Sequence, residues 1–276
     1  MKIHAYFLGV FLTTIPLTAT PDAAPTQTSD AKSIVCEMPS EETSNSGWEL
    51  LDTTPAINRT SHSLVYDSAR DVFVLFGGRN EELLGDTWEY NGVCWHKVAT
   101  ENAPSPRFWH SMVYDSHRQR TVLFGGGDPD NGIYYNDTWE YNGEYWQQVS
   151  TTHSPPSRVA RAMAFDSTRN LTILVGGNAS GESYDDTWEY DGSDWTQVST
   201  PASPPPPGAL AAMAYDVVRQ RTVLTFDDSS TSLRTWEYDG STWTEVTTTE
   251  QPLGRWLHSM SYDACSQRVV LYGGYT

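Results

Sequence analysis

Small and large side chains alternate in the most regular segments of the chain. The segment before Asp67 reads HSLVY, and related segments end at Asp115, Asp166, Asp216 and Asp263. In each, a small Ser or Ala is followed by a large Leu or Met, which is the two-residue period of a β-strand. No stretch sustains a helical period. The pattern predicts an all-β chain whose strands carry opposite side-chain sizes on opposite faces.

These segments also define an internal repeat, because they recur at intervals of 48, 51, 50 and 47 residues. Ten residues always separate the Asp from the end of the next apolar segment, which predicts a hairpin of fixed length. A second hairpin follows in four repeats, where Trp-Glu-Tyr and a later Trp flank an Asn-Gly or Asp-Gly pair suited to a tight turn. Each full repeat therefore predicts four antiparallel strands, named a to d in chain order.

Only the connection between strands b and c varies in length, from eight to twelve residues. Since an exposed sheet edge invites aggregation, tandem four-stranded sheets are best closed into a ring, which is a β-propeller. We predict five blades, the last completed by residues 33–37 as strand c and 48–51 as strand d. The alternative is a truncated piece of a propeller with six or seven blades.

Paired glycines follow strand b in four repeats, at Gly77-Gly78, Gly125-Gly126, Gly176-Gly177 and Gly273-Gly274. Together with the Tyr of Trp-Glu-Tyr and the Trp five residues later, they resemble the kelch family over about three quarters of the chain, in particular the tandem kelch-type repeats of secreted bacterial proteins. The fourth repeat departs from the pattern. Phe226-Asp227 replaces its glycine pair, and Arg234 replaces the Asp before Thr-Trp-Glu-Tyr. We expect its loop to sit differently.

The amino terminus resembles a targeting segment. Lys2 precedes an apolar run from Ala5 to Leu17 that is too short to span a bilayer, so residues 1–19 are predicted to be a signal peptide. Residues 20–32 are predicted to be a disordered leader, and residues 33–276 the propeller. The expected location is secreted, periplasmic or at the cell surface, with no membrane span.

Three cysteines in an exported chain leave one without an intrachain partner. Our hypothesis is a disulfide between Cys36 and Cys265 that clasps the closing blade; the alternative is three reduced thiols. The cysteine spacing does not fit a zinc site. We predict neither a metal site nor a cofactor.

The net charge of −18 and the sequence pI near 4.6 speak against a nucleic-acid partner, whose binding depends on neutralising phosphates. Against this acidic background, cations recur just before strand a. The pairs are Arg59 with His62, Arg107 with His110, Arg158 with Arg161, and Arg255 with His258; the fourth repeat has Gly208 and Ala211 instead.

These cations predict a ligand site at the mouth of the propeller on the side of the variable loops. A ring of Arg and His would hold a carboxylate or sulfate, with Trp109 and Trp256 as flat surfaces and Tyr134 and Tyr135 as exposed aromatics. The structural alternative is that each Arg hydrogen-bonds neighbouring loop carbonyls or acidic residues of adjacent blades.

The function best supported by the residues is a binding module for a protein or glycan, with anionic groups preferred. The inner strands carry Ser, Ala, Val, Leu and Met, with Asp only at their turn end, which argues against glycoside hydrolysis. The Asp at the end of strand a is expected to cap its own turn and to meet the Arg three residues later. The resemblance also allows the alternative that the protein is an enzyme, similar to a sialic acid mutarotase or a copper radical oxidase. Catalysis is the less favoured of the two interpretations.

Overall fold

The computed structural model describes residues 58–159, 162–200, 210–227, 232–247 and 249–275, all within one compact unit that spans Leu50–Thr276. The predicted signal peptide, leader and closing strands at 33–37 and 48–51 lie outside the described residues. No helix in the described ranges is long and apolar enough to cross a membrane.

Four sheets each contain four antiparallel strands in the order a, b, c, d. The first consists of β1 (Ser63–Asp67), β2 (Val72–Arg79), β3 (Leu83–Tyr90) and β4 (Trp95–Val98). The second consists of β5 (Ser111–Asp115), β6 (Arg120–Phe124), β9 (Thr138–Tyr141) and β10 (Trp146–Val149), with a ribbon of β7 (Gly127–Asp128) and β8 (Ile133–Tyr134) in its b–c loop. A short 3-10 turn at Pro129–Asn131 joins the two ribbon strands.

The third and fourth sheets repeat this arrangement. The third consists of β11 (Met163–Asp166), β12 (Leu171–Val175), β15 (Thr187–Tyr190) and β16 (Trp195–Val198), with a ribbon of β13 (Asn178–Ala179) and β14 (Glu182–Ser183). The fourth consists of β17 (Ala212–Asp216), β18 (Arg221–Phe226), β19 (Arg234–Tyr238) and β20 (Trp243–Val246). Strands a and b of the fifth are β21 (Trp256–Asp263) and β22 (Arg268–Tyr275).

The a strands of the five sheets lie side by side around one axis. Each contacts the next along the series β1, β5, β11, β17 and β21. All five line a common central cavity of about 290 Å³. The all-β propeller prediction is confirmed, whereas the count of five blades stays a prediction because the strands assigned to complete the last blade are not described.

Neighbouring sheets are locked together by the Thr-Trp-Glu-Tyr segment. The buried indole of Trp195 donates to Thr138 Oγ1 of the preceding sheet at 2.8 Å, and the Tyr190 hydroxyl donates to Glu140 of that sheet at 2.8 Å. The same Glu140 carboxylate also pairs with Arg118. Two further boundaries have equivalent bonds: Trp146 to Thr87 with Tyr141 to Glu89, and Trp243 to Thr187 with Tyr238 to Glu189.

The Asp that ends each a strand caps its turn, as the sequence predicts. One oxygen of Asp115 accepts the backbone N–H groups of His117 and Arg118, and the other accepts the Arg118 Nε–H at 2.7 Å. Asp67, Asp166 and Asp216 make the same contacts with Arg70, Arg169 and Arg219. We call this end of the sheets the turn side, and the end with the b–c and d–a connections the loop side.

The paired glycines allow these two kinds of connection to meet closely. A Cβ on Gly125 would lie 2.7 Å from the carbonyl oxygen of Arg158, which leads into the next sheet. Gly126 has φ +77°, and a Cβ there would lie 2.7 Å from the backbone nitrogen of His110. The pair is therefore required wherever the b–c loop passes this close to two other backbone segments. In the fourth sheet Phe226 instead pairs directly with Arg234, and residues 228–231 are outside the described ranges.

The predicted Cys36–Cys265 bridge is wrong at its Cys265 end, because Cys265 is a free, exposed thiol in the turn between β21 and β22. The bonded cysteine is Cys94, in the tight turn between β3 and β4. Cys36 lies outside the described residues. The two turns look equally suitable in sequence, so the pairing could not be read from spacing.

Alkylation without reductant is therefore expected to label Cys265 and to leave Cys94 unlabelled until a reductant is added. An exposed thiol reacts as its thiolate, whereas a half-cystine does not react. Mass mapping of the tryptic peptides checks this and identifies the partner of Cys94 from the peptide released with it. Labelling of Cys94 in the unreduced protein would contradict the assignment.

Candidate ligand-binding surface on the loop side

The arginine before the second sheet is enclosed by that sheet. Arg107 is fully buried, and its Nη1 donates to the Gly125 carbonyl at 2.9 Å and to Asp137 Oδ1 at 2.6 Å. Its Nη2 donates to Asp137 Oδ2 at 2.8 Å, and its Nε donates to the Ser105 carbonyl at 3.0 Å. The guanidinium thus forms a two-pronged ion pair inside its own blade.

We call this arrangement of an arginine, an aspartate of the same blade and a glycine carbonyl a clamp. Two other blades contain it. Arg59 pairs with Asp86 and the Gly77 carbonyl, and Arg158 pairs with Asp186 and the Gly176 carbonyl. Although burial opposes ionisation of Asp86, hydrogen bonds from Arg59 and Trp88 hold the pKa of its carboxyl below the usual value. The carboxylate is consequently ionised when the blade is assembled.

An aromatic ring covers the guanidinium in two of the clamps. The ring of Tyr135 lies 4.1 Å from the Arg107 guanidinium, and the ring of Tyr184 lies 4.0 Å from that of Arg158. Tyr135 is therefore half-buried as part of a clamp and is not the exposed aromatic that the sequence predicts. Its neighbour Tyr134, in β8, is also half-buried.

The histidines predicted to share the mouth are mostly packed between sheets. His110 is buried against the ring of Phe76 in the first sheet. His258 is buried with its Nε2 2.7 Å from Thr225 Oγ1 of the fourth sheet, and burial lowers its pKa. His62 is half-buried, and the side chain of Arg161 is outside the described residues.

The predicted cation ring is thus built into the blades. The structural alternative holds for Arg59, Arg107 and Arg158, with one difference: the acidic partner belongs to the same blade and not to an adjacent one. A ligand role for these three stays a prediction that would require the ion pair to open. Trp109 is half-buried, with φ +54° and its ring against Phe108, so it belongs to the connection between blades.

Arg255 differs from the other three. It is partly exposed, and its described bonds run only to carbonyl oxygens, from Nε to Leu253 at 3.1 Å and from Nη1 to Gly273 at 3.1 Å. Within the described part of the chain it makes no ion pair.

Large apolar side chains surround this arginine in sequence and across the hairpin. Trp256, which pairs with Tyr275 across β21 and β22, is 54% exposed, and Tyr275 is 49% exposed. Leu253 is 64% exposed and Leu257 is 38% exposed. We call Leu253, Arg255, Trp256, Leu257 and Tyr275 the fifth-sheet patch. It is an exposed aromatic and aliphatic surface with one cation.

Sequence reasoning found Arg255 and Trp256 but missed Leu253, Leu257 and Tyr275. It also missed that the acidic partner of each buried arginine lies in the same blade, although the sequence contains a signal for this pairing. The fourth repeat lacks the arginine, with Gly208 in its place, and also lacks the aspartate, with Arg234 in its place. Two positions that change together in one repeat indicate that they form a pair in the others.

Among the described residues, no group of three or more His, Cys, Asp and Glu side chains is arranged to hold a metal ion. The described lining of the central cavity consists of Leu, Val, Tyr, Met, Ala, Phe and Ser side chains. The described lining is accordingly apolar, with phenol and serine hydroxyl groups.

The chain is similar to known proteins both in sequence and in structure. A family model described as the KLHDC2/KLHL20/DRC7 Kelch-repeats domain matches residues 27–226. The chain belongs to the kelch-repeat family. Among solved structures, the kelch propeller is similar to one titled "Structure of YjhT", with 16% sequence identity and a TM-score of 0.63, over 83% of this chain and 81% of that chain. At this identity the likeness shows the fold alone. None of the curated proteins matches the sequence.

Proposed function

We propose that this kelch propeller is a binding module that recognises a protein or glycan, with anionic groups preferred, through the fifth-sheet patch. The observation that carries the proposal is the exposure of Trp256 at 54% beside Arg255. Trp, Tyr and Arg are the residues that most often dominate binding energy at interfaces, and large apolar side chains rarely cluster on a surface without a partner.

The contrast between the two sides of the sheets supports this choice of surface. On the turn side, the same Asp–Arg and Glu–Tyr contacts recur from sheet to sheet and pair these side chains with one another. On the loop side, the b–c ribbon of the second sheet runs from Gly127 to Tyr134 and that of the third sheet only from Asn178 to Ser183, because the turn between the ribbon strands is shorter. The first sheet has no separate ribbon. Variable loops on a rigid scaffold are the usual location of binding residues.

A protein is the favoured ligand, because kelch domains generally serve as protein-interaction modules. Attraction to an anionic group would be local, since the chain as a whole carries a charge of −18 and repels anions at long range. Export to the cell surface, the periplasm or the medium is part of the same proposal and depends on residues 1–19.

Trp256→Ala is expected to weaken capture of the partner about thirtyfold, the effect of removing a central aromatic anchor. The immobilised protein and its variant are compared by pull-down from an exported-protein fraction and on a glycan array. Because the side chain is exposed, the midpoint of thermal unfolding should change little.

Tyr145→Ala is the matched control, because Tyr145 is a similarly exposed aromatic, at 45%, in the turn before β10. The control should retain every partner that the unmodified protein captures. Equal loss in the two variants, or undiminished capture by Trp256→Ala, would show that the fifth-sheet patch is not the binding surface.

A further inference from the structure

We infer that a bound water molecule joins neighbouring sheets at each of three boundaries on the turn side, between a guanidinium nitrogen and a threonine hydroxyl. The nitrogens are Nη2 of Arg70, Arg118 and Arg169, and the hydroxyls are those of Thr121, Thr172 and Thr222 in the sheet that follows each arginine. All six atoms are buried, and none has a hydrogen-bond partner among the described residues. These sites are separate from the fifth-sheet patch.

Packing at the boundary between the first and second sheets brings the two unpaired groups to the same tyrosine. Thr121 lies on strand b, with Tyr114 of strand a and Tyr141 of strand c as its cross-strand partners. The Tyr141 hydroxyl donates to Glu89 of the first sheet at 2.9 Å, and the Arg70 guanidinium lies 5.5 Å from the centre of the Tyr141 ring. The threonine and the arginine therefore approach this ring from the two sides of the boundary.

The next two boundaries repeat the arrangement. Their equivalent residues are Arg118, Tyr190 and Thr172, and then Arg169, Tyr238 and Thr222. The guanidinium lies 5.4 Å and 5.2 Å from the centre of the tyrosine ring, and in each case the tyrosine is the cross-strand partner of the threonine. Because the same two atoms are unpaired at all three boundaries, the pattern belongs to the repeat and does not come from the rotamer of one side chain.

Unpaired polar groups of this kind are costly inside a protein. Thr121 and Thr172 are 1% exposed and Thr222 is 0% exposed, so bulk solvent does not reach their hydroxyls. A buried donor or acceptor without a partner loses its hydrogen bond to water, and native structures leave few such groups. One bound water molecule would satisfy the hydroxyl and the guanidinium nitrogen at the same time.

The charges around the guanidinium favour water over an ion. Arg70 Nε donates to Asp67 at 2.7 Å and Nη1 donates to Glu89 at 2.6 Å, so one positive charge already faces two negative charges. An anion at Nη2 would be repelled by the excess negative charge, and a cation would meet the N–H groups of Nη2. A water molecule accepts a hydrogen bond from Nη2 and exchanges one with the threonine hydroxyl without adding charge.

A high-resolution crystal structure of the full chain tests the inference directly. We expect one electron-density peak at each of the three boundaries, about 2.7–3.2 Å from both the arginine Nη2 and the threonine Oγ1. Crystals grown with sodium bromide in place of sodium chloride identify the occupant, because a bound bromide gives an anomalous signal whereas water gives none.

Two variants of the third sheet show whether the hydroxyl holds the water. Thr172→Val keeps the shape of the side chain and should abolish the peak between the second and third sheets while leaving the other two. Thr196→Val is the matched control, because Thr196 is exposed on β16 of the same sheet. In solution, oxygen-17 relaxation dispersion counts long-lived internal waters. Thr172→Val should lower that count by about one, and Thr196→Val should leave it unchanged.

Three results would overturn the inference. Boundaries without a density peak would show that the arginine and threonine atoms find protein partners or remain unpaired. An anomalous bromide peak would assign the positions to an anion. A peak that persists in Thr172→Val, with an unchanged count in solution, would show that the threonine hydroxyl does not bind the water.

Discussion

Arg158→Ala is expected to lower the free energy of unfolding by about 3–5 kcal/mol, because it leaves the Asp186 carboxylate without its charged partner in a mostly buried position. The Gly176 carbonyl and the ring of Tyr184 lose their contacts with the guanidinium as well. Urea denaturation followed by tryptophan fluorescence measures the change. Arg255→Ala is the control, and its cost should stay within about 1 kcal/mol because it breaks no described ion pair.

The fourth sheet provides a rescue experiment. There the arginine is replaced by Gly208 in sequence, the aspartate is replaced by Arg234, and Arg234 pairs with Glu245 at 2.7 Å. Glu245 lies opposite Trp236, and its equivalent in the third sheet is Gln197, opposite Trp188. The triple variant Arg158→Gly, Asp186→Arg, Gln197→Glu should therefore be more stable than Arg158→Ala. A triple variant that is no more stable would mean that the arginine contributes through packing and not through its charge.

The side-chain contacts on the turn side could be predicted from the repeated sequence. Asp115 and Arg118 are three residues apart, so their contact follows from the local geometry of a tight turn, and the structure confirms it. Contacts on the loop side join residues that are much farther apart, such as Arg107 and Asp137. An arginine looks the same in sequence whether or not a distant carboxylate pairs with it. The available signal, which the sequence analysis did not use, is that the fourth repeat lacks both the arginine and the aspartate.

The exposed patch could not be predicted for a related reason. Trp256 and Phe108 follow equivalent arginines, yet Phe108 is buried under the cation of Arg79 while Trp256 is 54% exposed. Both residues make the same pairing, with the position directly after the paired glycines: Phe108 with Gly127 and Trp256 with Tyr275. The difference in exposure therefore comes from outside this pairing, and Arg79 of the first sheet covers Phe108. A repeated motif therefore fixes the position of a residue, and the non-repeated loops decide its exposure.

The tyrosine–glutamate hydrogen bonds between neighbouring sheets also determine how stability depends on pH. Burial, reinforced by the neighbouring carboxylates, raises the pKa of the hydroxyls of Tyr141, Tyr190 and Tyr238 well above the usual value of about 10. Burial, helped by Asp67, raises the pKa of Tyr114 to about 12. In the folded protein these phenols keep their protons at a pH where the unfolded chain releases them. Their contribution is complete below pH ~10 and is lost as the pH rises from there toward the folded pKa values.

The free energy of unfolding should therefore fall steeply above pH ~10, by about 1.4 kcal/mol per pH unit for each tyrosine that ionises only on unfolding. Three such residues would exhaust a typical domain stability of about 5–15 kcal/mol within a few pH units. Denaturation curves between pH 9 and 12, together with tyrosinate absorbance, measure the slope.

Tyr190→Phe should be less stable than the unmodified protein at neutral pH, because it loses the bond to Glu140, and its free energy of unfolding should decline less steeply above pH ~10. Tyr145→Phe, which removes an exposed hydroxyl, should follow the unmodified curve. Parallel curves for Tyr190→Phe and the unmodified protein would show that the buried phenol does not control the alkaline transition.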